Sequence, residues 1–285
     1  MIDMTSEVSA LRALTAGDTA AARAALAARV DRPLLNAALT AYLAETGDGT
    51  VYDQPAAFTA FIRGGGNVAL YDAVSAALAE RYRRFGVTTL VDLGCGDGRA
   101  VVPALAAAAT SLEVTLVEPS RALLDAALTA LAGRSATAHA TDATTFTANL
   151  ATTFDLAEST FALHALPHDE RSAMLTALRE HVSRLVLAEF DFPAHPVGGG
   201  EHLTFLADSY ERGLAEYDTE RELVAHGFLM PVLTGQLAPG ARRSTWEQPA
   251  TAWVAQLTAC GYRDVTVEPL CEYWSSPAFL LTAAA

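Results

Sequence analysis

Basic side chains are scarce in this chain. Its 285 residues hold 19 basic against 33 acidic side chains, a formal net charge of −14 at pH 7. Such a balance repels phosphate backbones unless a local basic patch exists. The clusters Arg81-Tyr82-Arg83-Arg84 and Arg242-Arg243 are too small to track one, so nucleic acid is excluded as a partner. The first cluster reads as the last turn of a helix, where cations complement the dipole. Cysteine is also sparse. Cys95, Cys260 and Cys271 form no C-x-x-C pair, and an odd count fits a reducing compartment. No uninterrupted apolar run approaches about 20 residues, so no membrane span is expected. Met1 to Ala10 lacks the basic and apolar regions of a secretory leader, and a cytoplasmic protein is the expectation. The length suffices for one sizeable core, or one core with an appendage.

Against these absences stands Val91-Asp92-Leu93-Gly94-Cys95-Gly96-Asp97-Gly98-Arg99-Ala100. It reads as a buried strand, a glycine turn and the start of a helix. Glycine lets the backbone turn sharply and lets a ligand approach where a Cβ would collide. The helix beyond it, from Arg99 to about Ala109, aims unpaired N–H groups and a positive dipole end at that ligand. A dinucleotide fingerprint places its third glycine three residues after the second. Here Gly98 follows Gly96 by two, and Asp92 sits where dinucleotide strands are apolar. Downstream, the β-prone run Leu112–Val117 ends in Glu118-Pro119-Ser120. Glu118 falls roughly 20 residues past the loop, where a βαβ unit places an acid for ribose hydroxyls. Ser120 then caps a helix from Arg121 to about Ala132.

The D-x-G-x-G-x-G pattern resembles the first motif of class I S-adenosylmethionine-dependent methyltransferases. The resemblance spans roughly Leu70 to Thr282. It implies a doubly wound α/β fold with a mostly parallel seven-stranded sheet, the last strand inserted antiparallel. It assigns Asp92, Gly94, Cys95, Gly96, Glu118, Pro119, Asp142, Ala143 and Glu158 to S-adenosyl-L-methionine. Asp92 would help hold its cationic part and Glu118 its ribose hydroxyls. Asp142 would accept from the adenine amine, with Ala143 offering its N–H, but either Thr141 or Asp142 serves equally as a helix cap. The N-P-P-Y type motif of nucleobase and protein-amide methylating relatives is absent, which leaves a small-molecule methyl acceptor as the expected partner. A homodimer is left open.

Two segments fall outside the common core. Residues 1–66 read as a helical lid, with helices near 7–15, 18–29, 32–45 and 54–63 and a break at Gly47-Asp48-Gly49. Tyr52, Phe58, Phe61, Arg63 and Tyr71 are its candidates for facing the pocket. Arg63, beside Gly64-Gly65-Gly66, could clamp a carboxylate of cofactor or acceptor, or simply be solvated. The core then covers 67–285, with a cap insertion at about 191–246 containing a helix from Glu201 to His226. Insertions of that length at strand ends are usually functional.

Methyl transfer to oxygen or carbon needs a base. His164, Glu189, Asp191, His195, His202, Tyr210 and Tyr217 are the candidates; the catalytic set expected is His202, Glu189, His164 and Tyr217. A divalent metal among Glu189, Asp191, His195 and His202 is conceivable, but their spacing indicates none. Alternatives are an S-adenosylmethionine-binding enzyme that performs another reaction, a non-catalytic module of the same fold, and, more distantly, a dehydrogenase.

Overall fold

A computed structural model describes residues 5–45, 55–109, 111–240 and 245–285. Thus Tyr52, the break at 47–49 and the Arg242-Arg243 pair lie outside the described residues. The chain divides into two compact units, one of residues 1–68, 194–244 and 273–276, the other of residues 69–193, 245–272 and 277–285.

The first unit is helical. It holds α1 (Ser6–Thr15), α2 (Thr19–Leu26), α3 (Pro33–Ala44) and α4 (Pro55–Arg63) from the N-terminal segment. From the insertion come α10 (Gly200–Ala215), α11 (Arg221–Val224), a π-type turn at Ala225–Leu229 and α12 (Met230–Leu237). One core joins both segments: Leu11, Leu35 and Leu39 pack with Leu206, Tyr210, Met230 and Leu233. Polar contacts make the same joint. Glu211 of α10 accepts from the N–H groups of Leu34 and Leu35 at 3.2 and 2.7 Å, satisfying donors that the start of α3 would otherwise leave open. The lid and cap expected as separate segments thus share one hydrophobic interior. The helix expected over 201–226 instead stops at Ala215; Glu216 then accepts from Gly66 N at 2.7 Å while Tyr217 turns into the core.

The second unit is built on β1 (Thr89–Leu93), β2 (Glu113–Val117), β3 (Ala136–His139), β4 (Phe154–Thr160), β5 (Val182–Phe190), β6 (Arg263–Cys271) and β7 (Ala278–Ala284). They form one sheet in the order β3-β2-β1-β4-β5-β7-β6. The first four pairings are parallel and the last two, β5·β7 and β7·β6, antiparallel. The expected doubly wound seven-stranded sheet is therefore present. Side chains alternate between faces along each strand. Leu90, Leu116, Leu156 and Val186 meet Leu78 and Tyr82 of α5 (Asn67–Phe85, in this unit from Ala69 on) and Leu105 of α6 (Val101–Ala108). Val91, Leu93, Ala157 and Leu187 meet Leu175 and Leu178 of α9 (His168–Arg179) and Trp253 of α13 (Ala250–Ala259) on the other face. Each fully buried leucine contributes about 1.5–3 kcal/mol. Helices α7 (Arg121–Ala130) and α8 (Ala143–Ala148) complete the βαβ windings.

The Arg81–Arg84 cluster departs from expectation. Arg83 and Arg84 do sit in the last turn of α5, but Arg81 is buried and bonds Glu268 of β6 at 2.6 Å, with Glu80 on its other side. It ties a helix to an edge strand rather than only complementing a dipole. Among the described residues no helix is long and apolar enough to cross a membrane.

Candidate functional site

The order of the sheet reverses between β1 and β4, and in open α/β sheets ligands bind beyond the strand ends at such a point. A cleft of about 210 Å³ lies there, lined by Tyr71, Gly94, Cys95, Gly96, Asp97, Arg99, Ala100, Glu118, Thr160, Phe161 and Ala162. A larger, shallow depression of about 570 Å³ between α9 and α13 gathers only Glu180 as a charged group and offers no chemistry.

The glycine loop shapes the cleft. Gly94 has φ +79°, and a Cβ there would lie 2.5 Å from the Ala162 Cβ. A Cβ on Gly96, φ +55°, would meet nothing within 4 Å, so the space beside it is open to a ligand. The N–H groups of Gly94 and Cys95 both donate to Val117 O, at 2.8 and 3.1 Å, folding the loop onto the end of β2. Glu118 is held in turn: its carboxylate accepts from Gly96 N at 3.1 Å and Ser120 N at 2.9 Å. These bonds leave lone pairs at the cleft for a hydroxylated ligand. Cys95 is a lining residue only, because burial, then the negative charges of Asp92 and Glu118, push its thiol upward and keep it protonated.

Asp92 is 1 % exposed, and neither carboxylate oxygen has a hydrogen-bond partner. Burial and then the charge of Glu118 raise its pKa. A buried carboxylate without a partner is costly, and a cationic ligand at the loop would satisfy it. An unpartnered acid, open space over Gly96 and an acceptor at Glu118 together fit the cationic and hydroxylated parts of S-adenosylmethionine.

Other residues assigned to the cofactor are placed differently. Glu158 is not at the cleft wall; it is fully buried beside Asp92, with the Tyr82 hydroxyl 2.7 Å from both its oxygens. Pro119 is exposed and is not among the lining residues. Asp142 caps α8, accepting from Thr145 N and Thr145 Oγ1 at 2.7 Å each, and these bonds lower its pKa. Its exposure keeps its remaining lone pairs open to an outside donor, with Ala143 opening the helix beside it. Arg63 is an exposed residue at the end of α4, in the helical unit.

Phe161 was not singled out by the sequence. It has φ +51°, a strained conformation for a bulky residue. It stacks on Phe190 with centroids 4.5 Å apart and meets Tyr71 edge-on at 6.0 Å. Arg99 lies over the same Tyr71 ring at 5.6 Å and 3.5 Å from Asp97. Burial, followed by the Asp97 charge, pushes the Tyr71 hydroxyl up to about 12.

Immediately after Phe161 and Ala162 a 3₁₀ turn, Leu163–Ala165, carries His164. Its Nδ1 lies 2.8 Å from Glu189 Oε2, and its N–H donates to Glu189 Oε1 at 3.2 Å. Glu189, 2 % exposed, sits near the C-terminal end of β5. Because a carboxylate only accepts, the neutral imidazole carries its proton on Nδ1 and leaves Nε2 as the basic nitrogen. Burial lowers the His164 pKa, but the charge and hydrogen bond of Glu189 outweigh it and leave it raised. Of the expected catalytic set, the structure brings these two together.

The other two lie in the helical unit. Tyr217 is buried; its hydroxyl donates to Phe61 O at 2.9 Å and accepts from Asn67 Nδ2 at 3.3 Å. Burial raises its pKa, and its ring packs in the core of the helical unit. His202 Nδ1 accepts from Gly198 N at 3.2 Å, closing the glycine turn. His195 faces Glu201 at 3.3 Å, and Tyr210 is a core ring. Asp191, in the α/β unit, accepts from Ala250 N at 2.7 Å at the start of α13. Among the described residues no group of three or more His, Cys, Asp or Glu is placed to hold a metal.

Residues 90–184 match the model of a methyltransferase domain family. No curated protein matches the chain by sequence. Magnesium protoporphyrin IX methyltransferase of Synechocystis PCC 6803, solved with S-adenosylhomocysteine, is a similar structure: TM-score 0.52, 18 % identity, 84 % of this chain and 90 % of that one covered. Mitomycin 7-O-methyltransferase gives 0.52 and 20 % over 94 % of this chain and 72 % of that one. An O-methyltransferase family protein from Burkholderia thailandensis gives 0.50 and 13 % over 82 % and 60 %. At such identities the likeness speaks for the fold; the matched segment, from β1 through the first residues of β5, carries the glycine loop and the His164 turn. That segment matches a methyltransferase domain, and the sheet that carries it has the class I methyltransferase fold of these solved structures.

Proposed function

We propose that this enzyme methylates a hydroxyl oxygen of a small molecule, with His164 as the base that takes the hydroxyl proton. The observation that carries this reading is the His164–Glu189 pair, 2.8 Å apart, on the turn that follows the cleft-lining residues Phe161 and Ala162. A hydroxyl is a poor nucleophile until it sheds its proton, whereas a neutral amine attacks unaided; a histidine oriented by a carboxylate is therefore the device an oxygen acceptor needs.

S-adenosylmethionine would supply an electrophilic methyl group, transferred to the acceptor oxygen as the S–CH3 bond breaks and S-adenosylhomocysteine leaves. For the rest, the chain positions and deprotonates. Asp92 would face the cationic part and Glu118 the ribose hydroxyls. Gly96 leaves room for the ligand and Phe161 walls the cleft. Neutral His164 accepts the acceptor's proton at Nε2, and Glu189 stabilises the imidazolium that results. Holding acceptor and methyl in near-attack geometry is the larger share of the work.

The small-molecule acceptor draws support from the net charge of −14, unsuited to nucleic acid, and from similar structures named as O-methyltransferases. Cys95, Cys260 and Cys271 are all free thiols, in keeping with a reducing, cytoplasmic setting. The test is S-adenosylhomocysteine release with S-adenosylmethionine and a panel of phenols, enols and matched amines. Turnover of hydroxyl acceptors that falls about 10²- to 10⁴-fold in His164→Ala supports the proposal. Turnover of amines alone, indifferent to His164, rejects it.

A further inference from the structure

Asp92 and Glu158 are register partners across the parallel pair β1·β4. They are 1 % and 0 % exposed and emerge on the same face as Leu90 and Leu156, beneath α5. From α5 the Tyr82 hydroxyl reaches both Glu158 oxygens, but it has a single proton to give. Among the described residues neither carboxylate is paired with a cation, and Asp92 has no hydrogen-bond partner.

Among the described residues the surroundings add no positive charge to the pair. Register neighbours Leu116 on β2 and Val186 on β5 are apolar. Glu118 from the end of β2, Cys95 of the loop and Tyr82 from α5 interact with Asp92, and Asp97 acts on Cys95. All of these are acids. Two adjacent carboxylates shut away from water cannot both stay ionised. Burial, then charge repulsion, raises both pKa values.

We infer that Asp92 and Glu158 hold one proton between them in the ligand-free enzyme and release it to solvent when the cationic cofactor binds. Glu158 is thus a positioning residue: it never touches the cofactor, but it sets the charge on Asp92. The exchange balances, since one proton leaves for bulk water as one positive charge enters beside Asp92. Because binding needs the deprotonated pair, affinity rises with pH up to the raised pKa of the pair and is flat above it. The inference rests on S-adenosylmethionine being the cofactor.

The experiment is calorimetric titration of the full chain with S-adenosylmethionine between pH 6 and 9, in buffers of different ionisation enthalpy. For the wild type we expect about one proton released per cofactor at neutral pH and affinity rising about tenfold per pH unit below the pair's pKa. For Glu158→Gln, which removes one of the two adjacent carboxyls while burial and Glu118 still act on Asp92, release at neutral pH falls and the affinity profile moves to lower pH. Tyr82→Phe keeps both carboxyl groups but withdraws the donor that favours the Glu158 anion, so its pH dependence moves upward. A carboxylic-acid carbonyl band in the infrared should be present in the ligand-free wild type and vanish when cofactor is added. Binding without proton release, wild-type release in Glu158→Gln, or an unmoved profile in Tyr82→Phe would each overturn the inference. No binding by the wild type would instead overturn the cofactor assignment beneath it.

Discussion

The guanidinium of Arg171 lies 4.0 Å from the centre of the Trp253 ring while its Nη1 donates to the carbonyl of Leu163 at 3.2 Å. The same nitrogen donates to Trp246 O at 3.2 Å, and Trp246 N donates back to His164 O at 2.6 Å. A fully buried cation thus fastens the short turn that presents His164. Lysine lacks the planar fork to make these bonds together. Arg171→Lys should lower kcat by up to about 100-fold through misplacement of the base. It should also lower the melting temperature, each orphaned carbonyl costing about 1–3 kcal/mol. Steady-state kinetics and thermal unfolding on one preparation check both.

The pH profile tests the dyad. A base must be neutral to act, and the Glu189 carboxylate keeps His164 protonated to higher pH than burial alone would allow. The acid limb of kcat/KM should therefore lie above about 6.5, the ordinary histidine value. Glu189→Gln removes the raising influence, so its limb should move to lower pH while the plateau falls. A limb that stays in place in Glu189→Gln would remove Glu189 from the mechanism.

Two glycines of the loop should fail in different ways. Gly94→Ala places a methyl 2.5 Å from Ala162 and should unsettle the fold. Gly96→Ala meets no neighbour within 4 Å; its φ costs about 1–2 kcal/mol, and the methyl occupies ligand space. It should melt within a few degrees of wild type yet bind S-adenosylmethionine at least about tenfold more weakly. Equal affinity in Gly96→Ala would show that the ligand does not approach there.

Tyr217→Phe should separate a core role from a catalytic one. Its hydroxyl serves Phe61 O and Asn67, so we expect about 1 kcal/mol of lost stability with the pH profile of kcat unchanged. His202→Ala should likewise leave kcat in place.

Much of the α/β unit could be read from the chain because its signals are local. The glycine loop, Glu118 about 20 residues on and the Ser120 cap each depend on short spacings that βαβ geometry fixes. The pairing of His164 with Glu189 could not be read, although both were candidates, since it depends on β4 and β5 lying side by side. Glu158 was assigned to the cofactor by the family resemblance; the register with Asp92 and the reach of Tyr82, which depend on β1, β4 and α5 coming together, place it fully buried beside Asp92. Tyr217 was expected on one continuous helix from Glu201 to His226, and the turn after Ala215 that breaks this helix has no glycine or proline of its own. The left-handed backbone of Phe161 had no sequence signal, since that region is ordinarily left to glycine and asparagine.

The helical unit draws its single interior from residues 1–68, 194–244 and 273–276. On a ribosome its first helices emerge long before their partners. With α10 and α12 still unmade, Leu11, Leu35 and Leu39 have no completed core to enter. At about 5–20 residues per second the wait for the insertion lasts roughly 10 to 40 s. Throughout that interval the α-helices of the N-terminal segment have only one another to pack against, and the apolar faces meant for α10 and α12 stay open to chaperones and to aggregation alike.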